Sequence, residues 1–303
     1  MKLIITAVGS LPQVSLINDF KAHGVFIIGV DSNPLSVGFN FCDNYYVIPK
    51  ANNKNFMAMM MVICQEEQPD SIIISPDEEL IKIIYYKNSF ETYGVKLLIP
   101  NSITINICND KWFTYHFFKQ NKIPTPLTRL YEGFTCPAIL KPRIGRGSEG
   151  IFKINNYKEL SFYKDKKDYI IQEFIEGTEY SIDVLSDWDS NPISIVIRER
   201  IETESGISTK GKIVYDKEIT KYVKTIVNKL ALVGMSCIQC IRGKEGLKFI
   251  EINLRFGGGS VLSRRADPTI IPNYLRLITG QKLLKPKKAL ALTMLRYYSE
   301  VIE

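Results

Sequence analysis

Three polar side chains alternate with apolar ones in Phe249-Ile250-Glu251-Ile252-Asn253-Leu254-Arg255-Phe256, and Gly257-Gly258-Gly259-Ser260 follows directly. Successive side chains of a strand point to opposite faces, so Glu251, Asn253 and Arg255 should share one. A carboxylate, an amide and a guanidinium on one face are costly unless water or a ligand satisfies them. Carboxylate and amide oxygens suit Mg²⁺ shared with substrate phosphates. Gln239, on a strand-like run over 235–241, could add another oxygen. The ordinary alternative is a polar strand edge.

A second group is Ala138-Ile139-Leu140-Lys141-Pro142-Arg143-Ile144-Gly145-Arg146-Gly147-Ser148-Glu149-Gly150-Ile151-Phe152. It contains a formal G-x-G-x-x-G, but a dinucleotide loop must open a helix. Here Ile151-Phe152-Lys153-Ile154 continues as a strand, so the glycines belong to a hairpin. Such a hairpin, basic at Lys141, Arg143 and Arg146, suits a loop folding over phosphates. It could equally be a solvent-exposed turn. A protein kinase is excluded because H-R-D and D-F-G are absent. Downstream stands Gln172-Glu173-Phe174-Ile175-Glu176-Gly177-Thr178-Glu179. Backbone groups after Glu173 could meet an adenine edge, and Glu179 could accept from ribose hydroxyls.

These groups need elements to hold them. Over the first hundred residues, apolar runs at 3–8, 25–30, 45–48, 71–74 and 95–99 alternate with helical spacing at 12–23, 56–64 and 77–86. That alternation predicts a doubly wound parallel sheet, with ligands at the carboxyl ends of its strands. Gly9 lacks the glycine pattern of a dinucleotide domain, although Asp31 stands where a ribose-binding acid would. Asp77, Glu78 and Glu79 follow the fourth strand. They could face a cleft and bind an amine, or merely complement a helix N-terminus. The texture then changes. Helices are expected at 102–108 and 110–120, short strands and turns over 125–175, strands at 180–185, 193–197, 235–241 and 247–253, and an amphipathic helix at 219–232. This second half is α+β.

At 303 residues, 45% hydrophobic and 23% charged, the chain can bury a sizeable core. No apolar run approaches the roughly 20 residues of a membrane span, and the first residues read as a strand rather than a signal peptide. A cytoplasmic protein that does not bind membranes is expected. The formal charge of +7 comes without a long basic block, which argues against nucleic acid. Six cysteines lie mostly in apolar segments, and Cys237-Ile238-Gln239-Cys240 has no second pair to complete a zinc site. His23 and His116 are the only histidines, and neither sits in a nucleophilic motif.

Taken in order, these pieces resemble the ATP-grasp superfamily, specifically the ligases similar to the carbamoyl-phosphate synthase large subunit. The resemblance covers nearly the whole chain. It implies a Rossmann-like domain over 1–105 and an ATP-grasp domain over 106–303, with a lid lobe at about 125–175 and a C-terminal lobe at about 176–303. It implies that Lys111 and Lys141, with Gly145, Gly147 and Ser148, contact nucleotide phosphates. Glu173, Phe174 and Ile175 would bind adenine, and Glu179 ribose. Gln239, Glu251 and Asn253 would hold Mg²⁺ or Mn²⁺, and Arg255 would face the transferred phosphoryl group. Arg198 or Arg200, ahead of Gly206-Ile207-Ser208-Thr209-Lys210-Gly211, would help grip an acyl phosphate, unless they form a surface ion-pair ladder. The implied activity is ATP-dependent, ADP-forming ligation of a small-molecule carboxylate to an amine, in a chain that can form a homodimer. A carbamoyl-phosphate-type phosphorylating enzyme and a non-catalytic ATP-binding protein are the alternatives.

Overall fold

The computed structural model describes the chain except for residues 131–133, 146, 148, 164–167, 286 and 303. Arg146, Ser148 and the basic group at 164–167 therefore lie outside the described residues.

The first sheet is parallel and built from β1 (Lys2–Thr6), β2 (Phe26–Asp31), β3 (Asn44–Val47) and β4 (Ser71–Ile73), in the order β3-β2-β1-β4. Its near-continuous apolar strands reflect burial on both faces. Helices α1 (Gln13–Lys21), α2 (Phe56–Glu67), α3 (Asp77–Ile83) and α4 (Lys87–Thr92) accompany it. The expected fifth strand at 95–99 is reduced to one bridge, Ser71 to Lys96. Its apolar residues Val95, Leu97, Leu98 and Ile99 are still buried. However, Ile99 N bonds back to Leu97 O at 2.9 Å, which turns the chain out of the ladder just before Pro100.

Two helices then lead out of this half. Asn101 caps α5 (Ser102–Asn109) by accepting from Thr104 N, and Asp110 caps α6 (Lys111–Gln120) by accepting from Trp112 N. Such caps satisfy backbone donors that a helix start leaves free. A four-stranded antiparallel sheet follows, made of β5 (Thr128–Arg129), β6 (Ala138–Pro142), β7 (Phe152–Ile154) and β8 (Tyr169–Glu173) in the order β5-β8-β6-β7, with the short α7 (Tyr157–Leu160). The hairpin reading holds: the glycine segment joins β6 to β7, which pair antiparallel.

The largest sheet is antiparallel. It comprises β9 (Gly177–Ser186), β10 (Pro192–Glu204), β11 (Ile207–Val214), β12 (Gly234–Gly243), β13 (Gly246–Asn253) and β14 (Thr293–Leu295), ordered β13-β12-β9-β10-β11-β14. Helix α8 (Lys217–Leu230) buries Ile219, Val223, Ile226, Val227 and Leu230, the i, i+4, i+7 stripe read from sequence. Fully burying each such side chain is worth about 1.5–3 kcal/mol. Asp216 caps its start through Ile219 N. Helices α9 (Ser260–Ala266) and α10 (Ile270–Thr279) complete the fold.

The two large sheets share their apolar cores. One core joins Ile4, Ile28 and Phe56 to Val223, Ile226 and Phe249. Another joins Leu3, Ile17 and Phe20 to Leu185, Met235 and Tyr274. The four-stranded sheet has a small core of its own, Phe134, Ala138, Leu140, Ile154 and Ile171. Among the described residues no helix is long and apolar enough to cross a membrane.

Candidate active site

The three sheets face a cavity of about 1040 Å³. Its walls carry Lys111, Lys141, Gly145, Gly147, Glu173, Phe174, Ile175, Glu179, Arg198, Gln239, Glu251, Asn253 and Arg255. Residues spread over 145 positions of sequence thus meet in one space.

The strand register explains one end. Gln239 of β12 lies directly across from Glu251 of β13, and Asn253 lies across from Cys237. Regular alternation therefore puts the Glu251 and Asn253 side chains on the cavity face beside Gln239. Arg255 lies two residues past the end of β13, so strand periodicity does not hold it. Its Nη2 donates to Asn253 Oδ1 at 3.2 Å, and its Nε stands 3.9 Å from Asp77 Oδ1. One carboxylate and two amide oxygens are hard donors, too few for an all-protein cage. Among the described residues no group of three or more His, Cys, Asp or Glu could hold a metal. The set therefore fits Mg²⁺ completed by phosphate and water oxygens.

The other end is lysine-rich. Lys141 is buried on β6, and its Nζ donates to Gln172 Oε1 at 2.8 Å. Gln172 in turn donates from Nε2 to Thr128 Oγ1 at 2.9 Å, so its amide is fixed. Burial pushes the Lys141 ammonium down to about 8; Lys111 adds to this, and Glu251 and Glu179 oppose it. Lys111, the first residue of α6, donates from Nζ to Gly145 O at 2.7 Å. That bond ties the hairpin to α6. Gly147 in the same hairpin has φ +67, and no atom of the described residues lies within 4 Å of where a Cβ would stand, so a ligand can approach the backbone there. Arg143 does not join the lysines. It pairs with Asp110 at 2.5 Å and lies 5.7 Å from the Phe113 ring.

Between these ends lie the Glu173 and Glu179 segments. Glu173 closes β8, and its carboxylate accepts from Leu127 N at 3.0 Å. Lys153 Nζ stands 4.0 Å from the Phe174 ring centroid. Glu179 is ion-paired with Arg200, which also donates to Gly206 O at 2.8 Å. Arg198 is 2% exposed and bonds Asp183 Oδ2 at 2.7 Å. Arg198 and Arg200 are therefore no surface ladder. Burial pushes the Arg198 guanidinium down, but Asp183 and Cys237 together hold it above its ordinary value. The glycine loop rests on this arginine: a Cβ at Gly259 would come within 2.4 Å of Arg198 Nη1. Cys237 lies beneath the same loop, and burial pushes its thiol up to about 12, so it is no nucleophile. Cys240 is likewise a buried free thiol.

Sequence reasoning missed several neighbours. Gln172 accepts from Lys141 and Asp183 from Arg198, and no local motif marks either acceptor; Asp77, whose place at a cleft was expected, stands beside Arg255 rather than in a recognised amine pocket. Gln13, Asp31, Glu78 and Glu79 line the cavity from the parallel-sheet half, as expected for the carboxyl ends of its strands.

Comparison with known proteins gives two domain matches. The family model described as an ATP-grasp domain matches residues 108–259, and one described as a PylC-like N-terminal domain matches residues 3–98. The carbamoyl phosphate synthase large chain of Clostridium acetobutylicum is 24% identical over 87% of this chain and 27% of its own length. The 3-methyl-D-ornithine--L-lysine ligase of Methanosarcina mazei is 24% identical over 78% of this chain and 60% of its own. The chain thus spans about a quarter of the first relative and three fifths of the second. The solved N5-carboxyaminoimidazole synthetase of Staphylococcus aureus, complexed with ADP, superposes with a TM-score of 0.77 at 15% identity, covering 98% of this chain and 82% of that one.

Proposed function

The chain belongs to the ATP-grasp family, and from that premise we propose that it is an ADP-forming ligase joining a small-molecule carboxylate to an amine. One relative is named for a ligation of this class and one structural neighbour carries ADP. The carboxylate–amine class and the nucleotide are taken over for this chain; no particular substrate is. The division into 1–105 and 106–303, with its lid and C-terminal lobe, is part of the same reading.

The observation that carries the proposal is the pairing of two charge systems in one cavity. Lys111 and Lys141 are poised for phosphate oxygens. Gln239, Glu251 and Asn253 present oxygens to a divalent cation. Mg²⁺ held there would neutralise phosphate charge and fix the nucleotide's orientation.

In this reading the substrate carboxylate attacks the γ-phosphorus. A new O–P bond forms as the bond to the β,γ-bridging oxygen breaks, and ADP departs. The amine then attacks the acyl carbon, loses a proton, and phosphate leaves. Positioning and charge neutralisation do the work rather than covalent catalysis by the protein. Lys141 and Lys111 neutralise the phosphates. Arg255, a planar fork, holds the transferred group, and Arg198 supports it from below the Gly257–Gly259 loop. The β6–β7 hairpin covers the nucleotide and excludes water, which would otherwise hydrolyse the acyl phosphate.

The test is calorimetric titration with a non-hydrolysable ATP analogue, with and without Mg²⁺, for the native protein and for Lys141→Ala. Mg²⁺-dependent binding that weakens in the variant supports the reading and justifies screening ADP release across acids and amines. A folded native protein that binds no nucleotide in the presence of small carboxylic acids refutes it.

A further inference from the structure

Resting on the phosphoryl-holding role proposed for Arg255, we infer that Asp77 is a positioning residue that aims the Arg255 guanidinium from the parallel-sheet half of the molecule. Two independent observations meet here. The first is the way Arg255 is held. It lies beyond β13, outside any ladder, and its one side-chain hydrogen bond among the described residues is the 3.2 Å contact to Asn253 Oδ1. Its Nε is buried and makes no hydrogen bond to any of the described residues. An arginine so placed can pivot about the Asn253 contact.

The second is the position of Asp77. Ser75-Pro76 brings the chain off β4 and into α3, with Pro76 extended at ψ 137 and Asp77 as the first helical residue. Glu78 and Glu79 share that first turn, and either can answer the helix dipole. It is Asp77 that stands 3.9 Å from Arg255 Nε, 178 residues away in sequence. Asp77 also walls a small cavity of about 20 Å³ together with Lys111, Glu251 and Asn253. That volume holds about one water molecule. The carboxylate therefore sits at the back of the metal and phosphate end, where it restrains one edge of the guanidinium and leaves the opposite edge to the substrate.

Such a residue acts only through Arg255, and that makes it separable from a structural one. The quantity to measure is the ratio of affinities for a Mg²⁺–ATP analogue and Mg²⁺–ADP, which isolates the γ-phosphate contact. Arg255→Ala should lower this ratio about tenfold or more, the scale of losing a charge-assisted contact. Asp77→Asn should lower it by a comparable factor, while ADP affinity stays near native. Asp77→Glu should recover most of the loss. In the Arg255→Ala background, Asp77→Asn should add nothing. A native ratio in Asp77→Asn overturns the inference. So does a raised ratio, which would make the carboxylate a drain on the arginine's charge rather than its guide. Should Asp77→Asn fail to fold, Asp77→Ser takes its place in the same cycle. A native protein with no nucleotide affinity strikes the underlying ligase reading instead.

Discussion

Lys141 Nζ and Gln172 Oε1 lie 2.8 Å apart on the adjacent strands β6 and β8, both buried. A neutral amide is a weak partner for a buried ammonium, so the lysine's charge is only partly compensated before a phosphate arrives. With its value near 8, nucleotide affinity should be full at pH 7. It should fall by up to about tenfold per unit as pH rises above 8. Folding has the opposite sign. The unfolded lysine, ordinarily at 10.5, binds more protons than the native one between about 8 and 10.5. This group therefore adds stability to the ligand-free protein as pH rises through that window. Calorimetric titrations and urea melts at pH 7, 8 and 9 should move in opposite directions. Parallel movement would refute the assignment.

Gln239 and Glu251 face each other across β12 and β13, and Glu251 is the sole carboxylate in the oxygen set. Glu251→Gln should leave the melting temperature within a few degrees of native. It should remove Mg²⁺-dependent nucleotide affinity by at least tenfold to hundredfold, the loss seen when even outer partners of a metal are removed. Titration with and without Mg²⁺ separates this from a general weakening.

Asp183 and Arg198 form a buried pair at 2.7 Å, and Ser263 Oγ donates to the same Asp183 oxygen at 2.6 Å. Asp183→Ala strands a guanidinium in the interior and should cost about 3–5 kcal/mol of folding free energy. Equilibrium denaturation measures this directly. A loss below 1 kcal/mol would mean that the arginine finds water.

Gly259→Ala would thrust a methyl group into Arg198 Nη1. Overpacking of this kind costs about 1–3 kcal/mol. If Arg198 grips the acyl phosphate as proposed, the displaced arginine should lower turnover more than nucleotide affinity. Equal losses in both would remove that role.

The parts of the fold that repeat a period were readable from the sequence. The β1 to β4 alternation, the apolar stripe of α8 and the hairpin between β6 and β7 each follow from local spacing. Glu251 and Asn253 were readable because a strand forces them to one face. Arg255 reached the same cavity for another reason, since the strand ends at Asn253 and the loop is steered by contacts elsewhere. Strand β11 was not anticipated, because Ser208-Thr209-Lys210-Gly211-Lys212 lacks an apolar alternation. Helices α9 and α10 were not anticipated; α10 nonetheless buries Ile270, Ile271, Tyr274, Leu277 and Ile278. Long-range ion pairs left no trace. Asp110 with Arg143, Asp183 with Arg198 and Asp77 with Arg255 depend on where separate elements meet, and no local window contains that information.

The small private core of the four-stranded sheet has a consequence for how the molecule comes apart. Phe134, Ala138, Leu140, Ile154 and Ile171 pack chiefly among themselves, whereas the parallel and six-stranded sheets are welded through common interiors. Melting that minor nucleus should leave the major ones intact. Amide hydrogens of β6 and β7 should then exchange with solvent through local opening, at lower free energy than those of β1 and β12. The four-stranded sheet should thus be a separate unit of cooperativity, able in the proposed reading to lift for a nucleotide while the rest of the protein stays folded.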